Sequence, residues 1–498
     1  MEVPTIYIID EENKIVFDLM KKNIVGGPSI VFHRYHLKDE TKIQRVHYNL
    51  EDNTWFYDKF GKSVQKIVGF DANALYLWCI GQPQLCGILK YYPSEEWDTE
   101  ILLNSVKSGE FWGMMEVDIR VPRSLYEYFS VMPPLFINKT YSSSQAGDYM
   151  NYVIEEVLDR KHSKNRKLIA TMKAKKILLK SSLLKWYLDH GLIVTKIYGV
   201  IPAEKAKIYE DFVNWVSDSR REGDVKKEHA VKAENAKNIG NSAFGQSIMD
   251  KTKHRKCRYV NEKQFNKIKN DFWFYDAEEY GEENSPHKFE VILTKKNIKQ
   301  DMPEQVGFGI LQDAKLRMLQ FQYDCLDKYI DRSDYQLIQM DTDSSYMALS
   351  GNSFEELIKP ELRPEYELDK NNWFPRTDTP ENIKYDNRTP GLFKIEKEGI
   401  GMIALCSKTY YLLIQQSPNE EGKLASKGAQ KIRNTDILTW RNYKRCLFNI
   451  EPIFGDNAGI RYKDHFMQVY KQEKVILNSI YVKGVVMDDG IHIRPLIL

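Results

Sequence analysis

Tyr335-Gln-Leu-Ile-Gln-Met-Asp341-Thr-Asp343-Ser344-Ser-Tyr-Met-Ala-Leu349 sets two acids, two residues apart, between apolar runs. The runs Tyr335–Met340 and Ser345–Leu349 predict paired strands, and the acids predict the turn between them. An Asp-x-Asp turn is often only a polar chain reversal. Flanks this apolar argue for more, because they hold the turn against a core. Residues two apart in extended chain point to the same side, so Asp341 and Asp343 can converge. Converging carboxylates repel unless a cation lies between them.

Working outward, Ile67-Val-Gly-Phe70 predicts a buried strand that delivers Asp71 at its end, in Asp71-Ala-Asn-Ala-Leu-Tyr76. A third stretch, Lys237-Asn-Ile-Gly-Asn241-Ser-Ala-Phe244-Gly245, lies in a helix expected over about 228–249. There Lys237, Asn241 and Phe244 stand at i, i+4 and i+7, on one face. A cation, an amide and an aromatic on one face suit a nucleotide, the ammonium to phosphate and the ring to base. Phosphoryl transfer from a triphosphate needs charge neutralised on the attacking oxygen, the phosphorus and the leaving group. Two divalent ions held by a few aspartates achieve this, and Mg²⁺ takes few protein ligands, usually carboxylates. Taken singly, the helix reads as merely amphipathic and each acid as a turn residue. The order of the three along one chain is the informative feature.

That order resembles the polymerase core of family B DNA polymerases. In detail it resembles the protein-primed branch of viruses, linear plasmids and self-synthesising (Polinton/Maverick-like) transposons. The resemblance implies that Asp71 and Asp343 ligate two Mg²⁺ ions, with Mn²⁺ a workable substitute. Asp341 assists catalysis, and the Ala72 carbonyl is a further candidate ligand. Tyr76 would stack under the incoming sugar and exclude a 2′-hydroxyl. Lys237, Asn241, Phe244 and a basic residue from Ser219-Arg220-Arg221, with Arg221 favoured over the equally placed Arg220, would bind the dNTP. Lys408-Thr-Tyr410 and Lys427, downstream of the acidic turn, would contact primer–template DNA. Gly26-Gly27 resembles a template-touching linker, although Ile24 stands where a Tyr is usual. Ala74 and Leu77 also depart from the commoner Ser and Pro.

The implied fold is α+β, a right-hand polymerase with an antiparallel palm sheet, helical fingers, a small thumb and branch-specific insertions. The expected division is a remnant linker over 1–65, palm with a first insertion over 66–160 and fingers over 161–250. A second insertion over 251–305, palm over 306–434 and thumb over 435–498 complete it. Insertions of this kind would meet a terminal-protein primer and the downstream template. The stretch before Asp71 is too short for a 3′–5′ exonuclease, so the expectation is a polymerase half that adds deoxynucleotides to a primer 3′-hydroxyl. A silent nucleic-acid-binding relic and a reverse transcriptase are the competing readings.

Local patterns give further expectations. Ile6–Ile9 and Lys14–Phe17 read as strands about the turn Asp10–Asn13. Leu168–His190 reads as a helix ending at Gly191, with another over about 203–219. Residues 351–390 read as a surface excursion, and Asp489-Gly490 as a hairpin turn. The 498 residues suffice for several cores. With 72 Lys and Arg against 70 Asp and Glu, any basic groove must come from distribution, as in Lys161–Lys180 and Lys251–Arg258. The six cysteines form no C-x-x-C pair, which fits reduced thiols in an intracellular protein at a site of DNA replication. No apolar run reaches membrane-spanning length, and no basic segment opens the chain.

Overall fold

The computed structural model describes residues 4–96, 98–140, 142–280, 287–415, 421–463 and 466–497. Its centre is a five-stranded antiparallel sheet. In chain order the strands are β1 (Ser29–Val31), β2 (Lys66–Ala72), β3 (Tyr335–Asp341), β4 (Ser344–Leu349) and β5 (Phe393–Gly399). They lie side by side as β1-β3-β4-β2-β5. β3 is buried along Tyr335–Met340 and β2 along Ile67–Phe70, so both faces of the sheet are covered and the runs read as continuously apolar rather than alternating. Gly69 lies opposite Tyr346, and a Cβ on it would stand 2.4 Å from that ring. A bare backbone there is what lets the aromatic lie across the neighbouring strand.

Helices enclose this sheet. They are α1 (Lys14–Asn23), α2 (Leu75–Ile80), α3 (Glu210–Val225), α4 (Ala230–Ser247) and α5 (Glu304–Gln320). α5 is buried along almost its whole length, including Gln312, Asp313 and Lys315. Its Asp313 takes 2.5 Å from Lys180 Nζ and 3.0 Å from Ser182 Oγ, and the same ammonium donates to the Pro83 carbonyl at 2.9 Å. Such a fully used pair avoids an uncompensated buried charge.

Several local expectations are corrected. Lys14–Phe17 belongs to α1 rather than a strand, because Val16 and Met20 bury one helical face against Leu85, Met114 and Phe308. The helix expected from Leu168 begins only at Ser181. Lys167–Thr171 and Lys173–Lys180 are strands, paired with Leu135–Lys139 and with Gly113–Arg120. Lys175 and Lys176 are exposed while Ile169, Ala174 and Leu178 turn inward, a pattern that helical spacing imitates over a short window. Ile193–Pro202 joins the same sheet, so of 161–250 only Ser181–Asp189, a short turn at Lys227–His229, α3 and α4 are helical. The helix expected at 203–219 is shifted to α3. Residues 351–390 form short helices that bury Phe354, Tyr366 and Trp373 in the main core instead of standing off it.

Arg255–Asn261, Phe274–Tyr280 and Lys288–Thr294 make a separate three-stranded sheet with a small core of Val260, Val291 and Leu293. Past residue 435, the helix Trp440–Phe448 precedes a long hairpin, Ile453–Lys463 with Phe466–Leu477. The remainder returns to the central sheet. Tyr481 Oη donates to the Val31 carbonyl at 2.8 Å, and buried Arg34 donates to the Ser479 carbonyl at 2.8 Å. Val485–Val486 and Ile493–Arg494 pair about the turn at Gly490. Among the described residues no helix is long and apolar enough to cross a membrane.

Candidate active site

Strand register brings the acids together. On β2, Asp71 lies opposite Ser344 of β4 on one side and Lys394 of β5 on the other. At the end of β3, Asp341 faces Ser344 and also Ser29 of β1. Between β3 and β4 the chain turns on Thr342. The Asp343 N–H donates to the Asp341 carbonyl at 2.7 Å, closing a three-residue turn with Thr342 at φ +61°. A β-branched residue in this region is strained, and such strain concentrates at sites that need a special backbone path. The Ala72 N–H donates to the Asp343 carbonyl at 2.8 Å, tying the turn to the residue after Asp71.

The loop before β1 seals the turn from outside. The Thr342 N–H donates to the Pro28 carbonyl at 2.7 Å, and a Cβ on Gly27 would stand 2.4 Å from Thr342 Oγ1. Gly26 has nothing within 4 Å. Gly27→Ala is therefore expected to cost about 1–3 kcal/mol by forcing the turn aside, whereas Gly26→Ala leaves stability unchanged. Denaturant melts of both, and of Gly27→Ala combined with Thr342→Gly, check this: the double variant recovers the loss.

Electrostatics mark the same spot. The Asp343 carboxyl is pushed up to about 6 by burial, with Asp71 and then Asp341 adding to it against the nearby Lys408. Burial likewise raises Asp71, opposed by Lys394 and Lys423 and helped by Glu396. Lys408 Nζ lies 3.0 Å from Asp341 Oδ1. Perturbation by burial plus like charge, on strand ends facing one another, is what marks functional carboxylates. Among the described residues there is no cluster of three or more His, Cys, Asp or Glu in metal-holding range. The pair Asp71 and Asp343 still suits Mg²⁺, which needs only one or two carboxylates besides substrate phosphates and water.

Tyr76, early in α2, stands over the acids. Its hydroxyl is pushed up to about 12 by burial, then by Asp343 and Asp341. Its ring packs on Phe244 of α4 at 4.4 Å between centroids. Lys237 and Asn241 share the Phe244 face but are exposed, and Lys237 Nζ pairs with Glu234 at 3.1 Å. α3 and α4 pack as the expected helical pair. Arg221 is not turned to Lys237. It lies over the Tyr385 ring at 3.7 Å and bonds Asp218, the Tyr385 carbonyl and Thr389. Burial lowers the Arg220 guanidinium, and Arg388 adds to this against Asp224 and then Glu234.

On the other flank, Lys408 occupies the turn between Gly401–Cys406 and Thr409–Gln415, while Tyr410 is buried beside Tyr346 at 5.4 Å. The two therefore do not present one exposed face, because Lys408 has φ +62° and leaves the strand alternation. Lys427 lies in the next turn and is exposed. Sequence reasoning missed two features here. Lys423 pairs with Glu396 at 2.6 Å and donates to Tyr346 Oη at 3.1 Å, forming a charged network beside Asp71. Lys483 reaches the Ser29 carbonyl at 2.7 Å, its ammonium lowered to about 8 by burial and then by Lys427. Only strand register could have revealed the first. No local signal announces the second, which arrives from the far end of the chain.

No family model and no curated protein matches the chain. Solved structures do. An orthorhombic crystal form of phi29 DNA polymerase is similar with a TM-score of 0.50 at 12% identity, covering 95% of this chain and 64% of that one. Phi29 DNA polymerase complexed with primer-template DNA gives a TM-score of 0.51 at 13% identity, with the same 95% and 64% coverage. The chain thus has an α+β fold like that of this polymerase and spans 64% of its length.

Proposed function

We propose that this protein is a template-directed DNA polymerase of the family B type. It would add deoxynucleotides to a primer 3′-hydroxyl, or to a terminal-protein hydroxyl, in DNA replication. One observation carries the reading: strand register and the Ala72 N–H to Asp343 carbonyl bond bring Asp71 and Asp343 to one end of the central sheet, where Asp343 acts on the Tyr76 hydroxyl and the Tyr76 ring packs on Phe244, on a fold like that of phi29 DNA polymerase. A likeness to a polymerase solved with primer-template DNA supports nucleic acid as partner.

In this reading Asp71 and Asp343 hold two Mg²⁺ ions and Asp341, through Lys408, orients the turn. Bound Mg²⁺ neutralises charge on the attacking oxygen, the transferred phosphoryl group and the leaving pyrophosphate. Phe244 packs against the nascent base pair. Tyr76 underlies the sugar, where a 2′-hydroxyl meets its ring. Lys237, Asn241 and Arg220 receive the triphosphate. Lys408, Tyr410 and Lys427 flank the primer end, with Lys483 beside them. In this reading the 161–250 and 435–498 regions would serve as fingers and thumb around this palm, and the three-stranded sheet of Arg255–Asn261, Phe274–Tyr280 and Lys288–Thr294 would belong to the second insertion of a protein-primed enzyme.

The test is extension of a labelled primer–template with Mg²⁺ and four dNTPs. Extension is expected, with no primer shortening when dNTPs are withheld. Tyr76→Val is expected to extend the primer but raise ribonucleotide incorporation by about 10–100-fold, the cost of one lost steric contact. A protein that binds the DNA but never extends it is instead a silent relic of such an enzyme.

A further inference from the structure

A cavity of about 420 Å³ lies away from the acids, between α1, the strands Leu135–Lys139 and Lys167–Lys180, and α5. Its size is that of sites for small ligands such as a mononucleotide. In a chain whose charges nearly cancel, its wall is one-sided. Lys22, Lys139, Arg166, Lys173, Lys175 and Lys176 line it, and no Asp or Glu does. Lysines at a rim are ordinarily solvated stems. The base of the cavity is different. Lys315 of α5 lines it while only 4% exposed, and its ammonium is lowered to about 8 by burial alone, with no carboxylate among the described residues to compensate it. The contrast is Lys180, nearby, whose equally buried ammonium is held by Asp313. An uncompensated buried ammonium costs several kcal/mol, and a protein keeps one where an anion completes it. Beside Lys315 the lining is apolar, formed by Phe136, Leu179 and Leu183. Two acids near the rim do not line the cavity: Glu116, which feels Lys176 and Lys22, and Asp118, which accepts from the Lys176 N–H at 2.7 Å.

We propose that this cavity binds a phosphorylated ligand, with phosphate on Lys315 and the rim cations and an uncharged portion against Phe136, Leu179 and Leu183. Two sources share this chemistry, a free nucleotide and one nucleotide of a single strand. The site has its own residues and does not depend on the polymerase reading. It is nonetheless connected to the acids. Val25 lines the cavity, and Gly27, two residues on, packs against Thr342.

The experiment measures binding by the full chain in EDTA, which silences metal-dependent nucleotide binding. The probes are ribose-labelled ATP and fluorescent single-stranded oligo-dT. Lys315→Met and the double rim variant Lys173→Glu/Lys175→Glu are compared with wild type and with Lys107→Ala, an exposed lysine on the helix Thr99–Ser108. Lys315→Met is expected to melt no lower than wild type, since it removes a buried charge, and to weaken binding at least about tenfold, the worth of one charge-assisted contact. The rim variant does the same, and Lys107→Ala does not. Loss with ATP identifies a free nucleotide; loss with oligo-dT alone identifies a strand. If Lys315→Met fails to fold, the rim variant decides. Binding by both cavity variants equal to wild type, or no binding by wild type, overturns the proposal.

Discussion

Asp343→Asn is expected to raise the stability of the metal-free protein at pH 7.5 and to abolish primer extension. The Asp343 carboxyl is pushed up to about 6 by burial, then by Asp71, so the folded chain holds its proton more tightly than the unfolded chain. Below about pH 4 both states are protonated and the site costs nothing. Between about pH 4 and 6 the unfolded chain ionises while the folded chain holds its proton, and stability falls by roughly 2–3 kcal/mol, the loss being complete once the folded carboxyl also ionises. Asn carries no charge, so its advantage grows from about pH 4 and is full above pH 6. Melting temperatures of both proteins across pH 4–8 in EDTA check the first half. Adding Mg²⁺ narrows the gap, because an ion that binds only the folded wild type stabilises it by mass action. Extension falls by at least about 10²–10³-fold, the loss typical when one preorganised electrostatic group is removed. A variant less stable than wild type at pH 7.5 would sink the claim that Asp71 and Asp343 are mutually strained.

Acid is expected to unfold the protein through a buried histidine pair. His33 and His36 stack at 4.2 Å, with His492 edge-on to His33 at 4.6 Å, and all three are buried. Burial lowers His36 to about 3 and His33 well below its usual range, with His492 adding to both. Asp489 bonds His492 at 2.5 Å, and Gln336 and Thr41 bond His33 and His36. The unfolded chain takes up protons on His33 and His36 below about pH 6.5 and the folded chain does not. Their neutral burial is therefore stabilising above pH 6.5, and that stability is lost as pH falls toward 3. For His36 the loss approaches about 4 kcal/mol. Asp343 acts in the opposite sense between about pH 4 and 6, so the comparison is made between variants. His36→Phe keeps the stacked ring and removes the proton, and its stability is expected to decline less steeply from pH 6.5 to 4. Parallel curves for His36→Phe and wild type would exclude the pair as the cause.

The sequence by itself determined the strands Lys66–Ala72, Tyr335–Asp341 and Ser344–Leu349, the acids they deliver and the helix bearing Lys237, Asn241 and Phe244. Continuous apolar runs and an i, i+4, i+7 face are local signals, and local physics suffices to read them. Only the tertiary structure decided the rest. Lys167–Thr171 and Lys173–Lys180 are strands because Leu135–Lys139 and Gly113–Arg120 supply their hydrogen-bond partners from another part of the chain. α5 shows no polar face, and its buried Asp313 and Lys315 mean opposite things, one neutralised by Lys180 and the other left bare in a cavity. Arg221 and Arg220 are neighbours in sequence, yet helical rotation sends one to Tyr385 and leaves the other beside Arg388 and Asp224. Gly27 touches Thr342, and Lys483 touches Ser29, across separations that no local pattern encodes. Partners distant along the chain are chosen by packing and charge compensation, and those exist only once the chain has folded.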